Sequence, residues 1–498
     1  MDPPENDAGN GASESTRLLP EASRTSARPT ATSHTRSTWP WMYVVSLCVA
    51  LAILVDIGEY LIFAPRIRLY ESIVCTEYYS HVDPSLVGQD GSVPEQLCKV
   101  NPVQDEVAMI FGMQLLFDSV ASILLPVPFG SLADKYGRKW IAVMALFGYL
   151  LSFAWTLFSI GVLHLPLPFV WLSSLFFLIG GGPVTATTLV TTIVADVSPP
   201  EKRSTTFLYR FTSELVAECL VPPIASILME RSPWVPLLLA VGFFTLGLFA
   251  ALGLPETLPL PDNGADDREE GQEEIPDEIT KDGMWSKWIH QAKNSFSFVT
   301  RDMAVASLLF TFLVSKVGRR SIDLLIQYAS KRYGTSHQAN LLISLRAGVN
   351  ILLYLAVLPA ITAFVLSRTN PALKDLSVAK GSIFLMILGT VALSLSSTPA
   401  VMIFGLIIYT FGTGFGPVVR SLITSLVESH HASSTSDIGR LYALIAVMEG
   451  VGAFVAGPGM AGAFRLGLKL GENWLGLPFV VAAVLFALAA GVVFTIRV

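Results

Sequence analysis

The sequence has 498 residues, of which 52% are hydrophobic and only 14% are charged, and its formal net charge is −6. This is not the composition of an ordinary soluble domain, and it indicates a chain that lies mostly in lipid. The acidic residues concentrate near the middle and no basic stripe appears, which argues against nucleic acid as a partner.

Residues 1–38 are rich in Ser, Thr, Pro and Arg without helical periodicity, which predicts a disordered cytoplasmic tail. Within the tail, ESTRLLP at 14–20 resembles an acidic dileucine sorting signal. The apolar stretch that follows is too long for a cleavable signal peptide and contains Asp56 and Glu59. We therefore predict that it is the first membrane span.

Twelve apolar stretches are long enough to cross a bilayer, which takes about 20 residues. They lie near 40–64, 106–129, 140–163, 168–195, 205–229, 234–254, 303–329, 337–366, 380–397, 399–427, 438–464 and 474–496.

A polar, acidic segment separates the first six spans from the last six. We therefore predict an all-α membrane protein with twelve transmembrane helices in two six-helix bundles. Its parts are a disordered cytoplasmic tail at 1–38, an N-terminal bundle at 39–254, an acidic cytoplasmic linker at 255–302 and a C-terminal bundle at 303–498.

The distribution of Lys and Arg predicts the orientation. The tail, the linker and the short loop after the second span carry most of these residues, and cytoplasmic loops are the ones enriched in them. The tail, the linker and the C-terminus are therefore expected on the cytoplasmic side.

The two halves share a short pattern. GPVTATTL at 182–189 lies in the fourth span, and GPVVRSL at 416–422 lies in the tenth, which is the fourth span of the second half. Transporters are often built from internal repeats, so this match favours a duplicated structure.

The loop after the second span carries a motif. GSLADKYGRK at 130–139 resembles the loop between spans two and three of the major facilitator superfamily, Gly-x-Leu-Ala-Asp-[Arg/Lys]-x-Gly-Arg-[Arg/Lys]. PETL at 255–258 resembles a second feature of that family. The wider pattern is similar to filamentous-fungal members associated with secondary-metabolite gene clusters. The resemblance implies two six-helix bundles that alternate access to a central site.

The resemblance also implies a gating role for the hairpin residues Gly130, Asp134, Gly137, Arg138 and Lys139. Gly130 is expected to allow close helix approach, and Gly137 to allow the turn. In the family, the equivalent of Asp134 is associated with stabilising the outward-facing state through a neighbouring helix end.

Two departures from the family pattern keep the transport direction open. The fourth-span motif of the family usually begins with Arg, which LIGGGPVTATT lacks. The Gly-x-x-x-Gly-Pro pattern of drug/proton antiporters is absent from span five, although GAFVAGPGMAG at 452–462 in span eleven partly matches it.

Ionisable side chains inside the spans are candidates for function, because burying one in lipid costs several kcal/mol unless it faces a partner or a wet cavity. The candidates for proton coupling or substrate contact are Asp56, Glu59, Glu214, Glu218, Arg346, Arg420 and Glu449. Most of the acids lie in the N-terminal bundle and most of the bases in the C-terminal bundle, including a cluster between Lys316 and Asp323.

Two interpretations of these charges stay open. They could couple protons and bind substrate, forming inter-bundle pairs that break and reform during the cycle. Alternatively, they could be static ion pairs, for example Asp56 and Glu59 with Arg346 or Arg420.

Cys75 and Cys98 fall in the longest predicted outer loop, where a disulfide can persist, and both a bond and two free thiols stay open. The cysteine spacing fits no metal site, and no nucleotide-binding motif appears in a suitable context. We therefore expect neither a metal nor a cofactor, and we do not expect an enzyme.

These observations predict a monomeric secondary transporter that exports a small organic molecule, a fungal secondary metabolite by resemblance, with protons as the coupling ion. The alternatives are a proton-coupled importer of an organic anion or nutrient and a non-transporting membrane receptor on the same fold. The basic C-terminal bundle hints at an anionic substrate. The plasma membrane is the expected location, with a vacuolar or endosomal membrane as the alternative.

Overall fold

The computed structural model describes residues 40–88, 91–199, 203–257, 303–334, 336–361, 371–430 and 435–496. The predicted tail at 1–38, with its ESTRLLP segment, and nearly all of the predicted linker lie outside the described residues. Residues 37–498 belong to one compact unit, so the bundle boundaries stay a prediction from the sequence.

The described part of the chain is helical throughout. The α-helices of the N-terminal half are α1 Trp41–Val82, α2 Asn101–Leu124, α3 Pro126–Tyr136, α4 Arg138–Gly161, α5 Gly182–Val197, α6 Arg203–Met229 and α7 Trp234–Leu252. Those of the C-terminal half are α8 Met303–Arg319, α9 Leu325–Tyr333, α10 Ser336–Leu352, α11 Leu358–Ala360, α12 Pro371–Ser394, α13 Pro399–Phe411, α14 Phe415–His430, α15 Thr435–Leu470 and α16 Leu477–Thr495.

Several short helical turns connect these helices. The 3₁₀ segments are Pro84–Leu86, Glu95–Lys99, Leu167–Ile179, Arg320–Leu324 and Glu472–Trp474, and Leu353–Val357 is a π-helical turn.

Among the residues that the structure describes, eleven helical segments are long and apolar enough to cross a membrane. The remaining predicted span corresponds to α8, the turn Arg320–Leu324 and α9, which follow one another without a break. Its charged residues Lys316, Arg319, Arg320 and Asp323 exceed what an apolar span normally carries. The predicted twelve-helix fold is confirmed. The middle of its seventh span carries the charged residues Lys316, Arg319, Arg320 and Asp323.

Helix α1 is much longer than the predicted span of 40–64. Its 42 residues make it about 63 Å long, roughly twice the thickness of the hydrocarbon core. The predicted end was therefore wrong, because the helix continues through Pro65 into the charged segment that follows. We call the predicted cytoplasmic side of the molecule inner and the opposite side outer.

The fourth and tenth spans are both interrupted at the Gly-Pro pattern. In the fourth, the 3₁₀ segment ends at Ile179 and α5 begins at Gly182, with a φ of 89° at Gly181. In the tenth, α13 ends at Phe411 and α14 begins at Phe415. The matching breaks support the repeat predicted from the sequence.

Helices α2 and α15 connect the two halves at very close range. A Cβ atom added at Gly112 would lie 2.6 Å from Cβ of Ala461 and 2.9 Å from the carbonyl oxygen of Gly457. A Cβ atom added at Gly457 would lie 2.5 Å from the carbonyl oxygen of Gly112. The glycine-rich segment of span eleven thus lets two backbones touch, as small residues do in membrane helix packing.

Candidate functional site

A cavity of about 1060 Å³ lies between the N-terminal and C-terminal halves. Side chains of α6, α8, α10, α14 and α15 line it. Nine of its lining residues are acidic or basic: Glu214, Glu218, Lys316, Arg319, Arg320, Asp323, Arg346, Arg420 and Glu449. Five of the seven candidates from the sequence are therefore brought together in one place.

Glu218 and Arg346 join the two halves across this cavity. Nε of Arg346 donates a hydrogen bond to Oε1 of Glu218 at 3.0 Å, and Nη2 of the same guanidinium donates to that oxygen as well. Glu218 is 5% exposed. A carboxylate this buried requires the neighbouring cation, so the contact between α6 and α10 is an ion pair.

Glu449 is shared by two arginines of the C-terminal half. Nη2 of Arg420 lies 3.0 Å from Oε1 of Glu449, and Nη2 of Arg319 lies 3.8 Å from the same oxygen. Nearby, Nη1 of Arg320 lies 2.8 Å from Oδ2 of Asp323. Four helical elements of the C-terminal half thus contribute a dense cluster of charge to the cavity wall.

Lys316 differs from the other cations of the cavity. Among the residues that the structure describes, no carboxylate oxygen lies within 4.0 Å of its ammonium nitrogen. It therefore lines the cavity without an ion-pair partner.

Asp56 is paired within the N-terminal half. Nη1 and Nη2 of Arg210 lie 3.0 and 3.2 Å from its two carboxylate oxygens, and Nη1 also lies 3.4 Å from Oε2 of Glu214. Of the two open interpretations, the static pair of Asp56 with Arg346 or Arg420 is not what the structure has, because α1 packs against α6 of its own half and Asp56 meets Arg210 there.

Glu59 and Asp118 each accept a hydrogen bond from a neutral hydroxyl group. Oη of Tyr149 donates to Oε1 of Glu59 at 2.9 Å, and Oγ of Ser174 donates to Oδ1 of Asp118 at 2.5 Å. In the described part of the chain, no cationic nitrogen lies within 4.0 Å of either carboxylate. The alternative in which Glu59 pairs with Arg346 or Arg420 is likewise not what the structure has, because Glu59 meets Tyr149 on α4 of its own half.

A buried polar network, which we call the outer clasp, joins the halves at their outer ends. It consists of Glu71, Lys99, Gln104, Gln327 and Ser330. Nζ of Lys99 lies 2.7 Å from Oε1 of Glu71 and donates to Oγ of Ser330 at 2.6 Å, reaching from the N-terminal half to α9. Nε2 of Gln327 donates to the carbonyl oxygen of Gln104 at 2.8 Å.

Cys75 and Cys98 form a disulfide in the structure. The bond joins α1 to the 3₁₀ segment Glu95–Lys99, and Lys99 is the residue that follows Cys98. The disulfide therefore holds the outer clasp lysine beside α1.

Two further contacts connect the halves on the outer side. Nδ2 of Asn340 donates to the carbonyl oxygen of Pro222 at 2.7 Å and to Oγ of Ser226 at 3.0 Å. Nε of Arg465 lies 3.0 Å from Oδ2 of Asp105. The outer ends of the helices are thus tied together by polar contacts.

The GSLADKYGRK hairpin is attached to the segment after α7. Backbone N–H groups of Arg138 and Lys139 donate to Oε1 and Oε2 of Glu256 at 3.1 and 3.2 Å. The Arg138 guanidinium also forms an ion pair with Asp196 at the end of α5. These contacts cap the N-terminus of α4 with a carboxylate, which the helix dipole favours.

The hairpin glycines differ from one another. Gly137 has a φ of 102° and joins α3 to α4, so the turn expected there is present. Gly130 lies inside α3 with no described atom within 4 Å of an added Cβ, so the expected close approach at this residue was wrong. The side chain of Asp134 lies outside the described part of the structure.

Several polar partners were not predicted from the sequence: Arg210, Asp118, Asp196, Glu256 and the outer clasp residues. Asp118 had a usable signal, because it is one acid in the apolar segment FGMQLLFDSVASIL. The outer clasp had no such signal in the sequence, because its members lie outside the predicted apolar stretches or are uncharged. Among the described residues, no cluster of His, Cys, Asp and Glu could hold a metal ion.

Residues 104–457 match the family model of the Major Facilitator Superfamily. The chain is 37% identical over 462 residues to MFS efflux pump atnC of Emericella nidulans, covering 92% of this chain and 88% of that protein. It is 31% identical over 471 residues to efflux pump ustT of Aspergillus flavus, with 92% and 89% of the two chains covered.

Solved structures share the fold. A D-xylose-proton symporter superposes with a TM-score of 0.60 at 14% identity, covering 91% of this chain and 98% of that one. A bacterial homolog of the human lysosomal transporter Spinster, in an inward-facing and unoccupied conformation, superposes with a TM-score of 0.57 at 14% identity. The match covers 92% of this chain and 97% of that one. Identities this low show the fold alone.

Proposed function

Because this chain belongs to the Major Facilitator Superfamily, we propose that it exports a small organic molecule across a membrane by proton-coupled alternating access. The observation that carries the proposal is the charged cavity between the two halves, which the outer clasp closes at one end. The similarity to atnC and ustT, both named efflux pumps, favours export and a fungal secondary metabolite as the molecule.

The position of the cavity supports an inward-facing state. Its lining residues in α14, Gly416 to Ser425, follow the break in the tenth span, in the part of that span that the predicted orientation places toward the cytoplasm, and those in α6, Phe211 to Glu218, lie around the middle of that helix. The outer clasp, Asn340 and Arg465 connect the halves on the other side. A substrate would therefore enter from the cytoplasm, as an exporter requires.

We assign proton binding to Glu59 and Asp118. A carboxylate inside a membrane protein without a cation beside it is most stable when protonated. Each of these acids has a neutral hydroxyl donor and no ion-pair partner among the described residues, whereas Asp56 and Glu218 each accept hydrogen bonds from an arginine. The proton sites would thus lie in the N-terminal half, apart from the ion pairs that line the substrate cavity.

The chain is a multi-pass membrane protein, and we propose the plasma membrane as its location and a monomer as its active form. A vacuolar or endosomal membrane is the alternative, because ESTRLLP resembles a sorting signal. Fluorescence microscopy of the tagged chain, compared with a variant that changes Leu18 and Leu19 to Ala, separates these locations. A shift of the variant to the cell surface would favour the endosomal alternative.

The function is tested with purified protein in liposomes that carry an imposed pH gradient. The vesicles are loaded with an organic extract of a filamentous-fungal culture, and mass spectrometry follows which compounds leave. We expect one or more compounds to leave faster than from protein-free liposomes, and only while the gradient is present. Transport that is indifferent to the gradient would contradict proton coupling.

The same preparation addresses the importer and the receptor. Reversing the gradient reports whether protons and the compound move in opposite or in the same direction, and movement in the same direction would favour an importer. Counterflow of any compound in the extract would exclude a receptor that does not transport. Absence of counterflow with every fraction would contradict the proposed transport function.

A further inference from the structure

We propose that the cavity takes an organic anion and that the acidic group of this anion docks at Lys316, Arg319 and Arg420. The physiological meaning of this inference rests on the proposed transport function, which it deepens by naming the class of substrate. The distribution of charge on the cavity wall is the observation behind it.

The cavity wall has more positive charge than its own acids neutralise. Five of its lining residues are cationic and four are acidic. Two of the ion pairs are local: Arg346 binds Glu218, and Arg320 binds Asp323.

The remaining charges are not balanced. Glu214 lies 3.4 Å from Arg210, which is not among the cavity-lining residues. Glu449 is therefore the one carboxylate left for Lys316, Arg319 and Arg420. Three partly exposed cations that share one carboxylate form a site for a second negative charge, because an added anion lowers the repulsion between them.

The hydrogen bonds of these cations are incomplete. Nε of Arg319 and Nε of Arg420 are buried and have no hydrogen-bond partner within the described structure. Lys316 adds an ammonium group, which has three N–H donors. Among the described residues, no carboxylate oxygen lies within 4.0 Å of this group. A carboxylate, sulfate or phosphate group supplies the acceptor oxygens that such donors require.

The break in the tenth span adds to the positive potential at the same place. Helix α14 begins at Phe415, and a Cβ atom added at Gly416 would lie 3.2 Å from Nη1 of Arg319. The first turn of α14 is therefore beside the guanidinium. The N–H groups of Phe415 and Val418 donate to the carbonyl oxygens of Gly412 and Gly414, so this turn contributes the helix dipole and not free donors. Half-helix N-termini attract anionic substrate groups in interrupted membrane helices.

Glu449 has a defined part in this arrangement. Glu449 neutralises Arg420 at 3.0 Å and partly neutralises Arg319 at 3.8 Å. An incoming carboxylate would compete with Glu449 for these guanidinium groups while gaining Lys316. Removing the charge of Lys316 should therefore weaken anion binding, and removing the charge of Glu449 should strengthen it.

The test measures binding to the purified full-length protein in lipid nanodiscs. The probes are 1-naphthaleneacetate, indomethacin and cholate, each compared with its uncharged primary amide by equilibrium binding. The variants are Lys316→Gln, Lys316→Arg and Glu449→Gln. Lys469→Gln is the matched control, because Lys469 is an exposed lysine in the last turn of α15 and does not line the cavity.

We expect at least one carboxylate to bind at least about tenfold more tightly than its amide, a difference equivalent to one well-placed ion pair. Lys316→Gln should remove this preference, Lys316→Arg should keep it and Glu449→Gln should increase it. Lys469→Gln should leave it unchanged. Binding of the amide, which needs no ion pair, reports whether each variant is folded.

Equal affinity of all three carboxylates and their amides for the unaltered protein would overturn the proposal without any variant. Full preference in Lys316→Gln would also overturn it. Weaker anion binding in Glu449→Gln would overturn the competition with Glu449. The liposome assay tests the transport function independently of the anion site. Export of uncharged compounds alone would support transport and contradict the anion site. Carboxylate binding without any transport would support the anion site and contradict transport.

Discussion

The guanidinium of Arg346 donates hydrogen bonds from both Nε and Nη2 to Oε1 of Glu218, so one ion pair joins α10 of the C-terminal half to α6 of the N-terminal half. Both residues also line the central cavity. Movement of the halves that opened the cavity to the other side would have to stretch or break this pair. The contact is therefore placed to link the occupancy of the cavity to its closure.

Neutralising one member of this pair should impair the protein more than neutralising both. Glu218→Gln and Arg346→Gln each leave a buried charge without its partner, which costs about 3 kcal/mol. The double variant removes both charges, so a coupling energy of at least about 1 kcal/mol should appear in a double-mutant cycle. The measurement is thermal unfolding of each variant in detergent, together with its transport rate in liposomes.

Lys469→Gln provides the baseline for charge removal away from the cavity. Additive losses in the two single variants and the double variant would mean that Glu218 and Arg346 act independently. The geometry of the pair would then have no energetic consequence.

Reducing the disulfide should loosen the outer side of the molecule. Cys75 and Cys98 are 23 residues apart, and closing a loop of that size stabilises a chain by about 3 kcal/mol on the chain-entropy account. We expect the Cys75→Ser, Cys98→Ser double variant to unfold at a lower temperature than the unaltered protein. Because Lys99 follows Cys98 in the outer clasp, transport should change as well.

The remaining described cysteines serve as the control. Cys48 is buried and Cys219 is partly buried, and neither is bonded. A Cys48→Ser, Cys219→Ser variant should keep the sensitivity of unfolding to reductant. Unfolding temperatures that do not change when mass spectrometry shows both Cys75 and Cys98 reduced would contradict a stabilising role.

The acids of the N-terminal half should separate into two groups when neutralised. Glu59→Gln and Asp118→Asn keep an oxygen that accepts from Tyr149 and Ser174, so folding should persist while transport loses its dependence on the pH gradient. Asp56→Asn leaves Arg210 without its bidentate partner, so this variant should be destabilised by about 3 kcal/mol. The measurements are transport against pH and thermal unfolding.

The two readouts make the distinction sharp. If Glu59→Gln and Asp118→Asn both retain the original pH dependence, neither residue is the proton carrier. If Asp56→Asn alters only the pH dependence and leaves the unfolding temperature unchanged, the ion pair with Arg210 is not a structural contact.

The sequence was sufficient for the fold and for the general location of the charges. Apolar length predicted the spans, and the cost of charge in lipid identified Glu218, Arg346, Arg420 and Glu449 as candidates that prove to line one cavity. The partner of each charge could not be predicted, because it depends on which helix faces which.

Asp56 illustrates this limit. The three-residue spacing from Glu59 predicts that the two share a face, but not that Asp56 would meet Arg210 on α6 while Glu59 met Tyr149 on α4. The length of α1 was hidden for a related reason. The charged segment after Pro65 resembles a loop in the sequence. In the structure Glu71 of this segment is only 2% exposed, and Lys99 and Gln104 donate hydrogen bonds to its carboxylate.

The two glycines of the GSLADKYGRK hairpin should respond very differently to alanine. Gly137 has a φ of 102°, and a Cβ atom there would overlap with Oε2 of Glu256. Gly137→Ala therefore combines backbone strain of about 1 to 3 kcal/mol with displacement of the carboxylate that accepts from the N–H groups of Arg138 and Lys139. We expect a lower unfolding temperature and slower transport.

Gly130→Ala is the matched control in the same motif. Gly130 is helical, and no described atom lies within 4 Å of its added Cβ, so alanine should be neutral or should stabilise α3 by up to about 1 kcal/mol. Glu256→Gln should fall between the two, because it removes the charge at the start of α4 but keeps an acceptor oxygen. Thermal unfolding of the three variants in detergent gives the order directly. An equal drop in unfolding temperature for Gly130→Ala and Gly137→Ala would show that the backbone geometry at Gly137 is not important for the hairpin. It would also show that the contact with Glu256 does not hold the inner ends of the helices together.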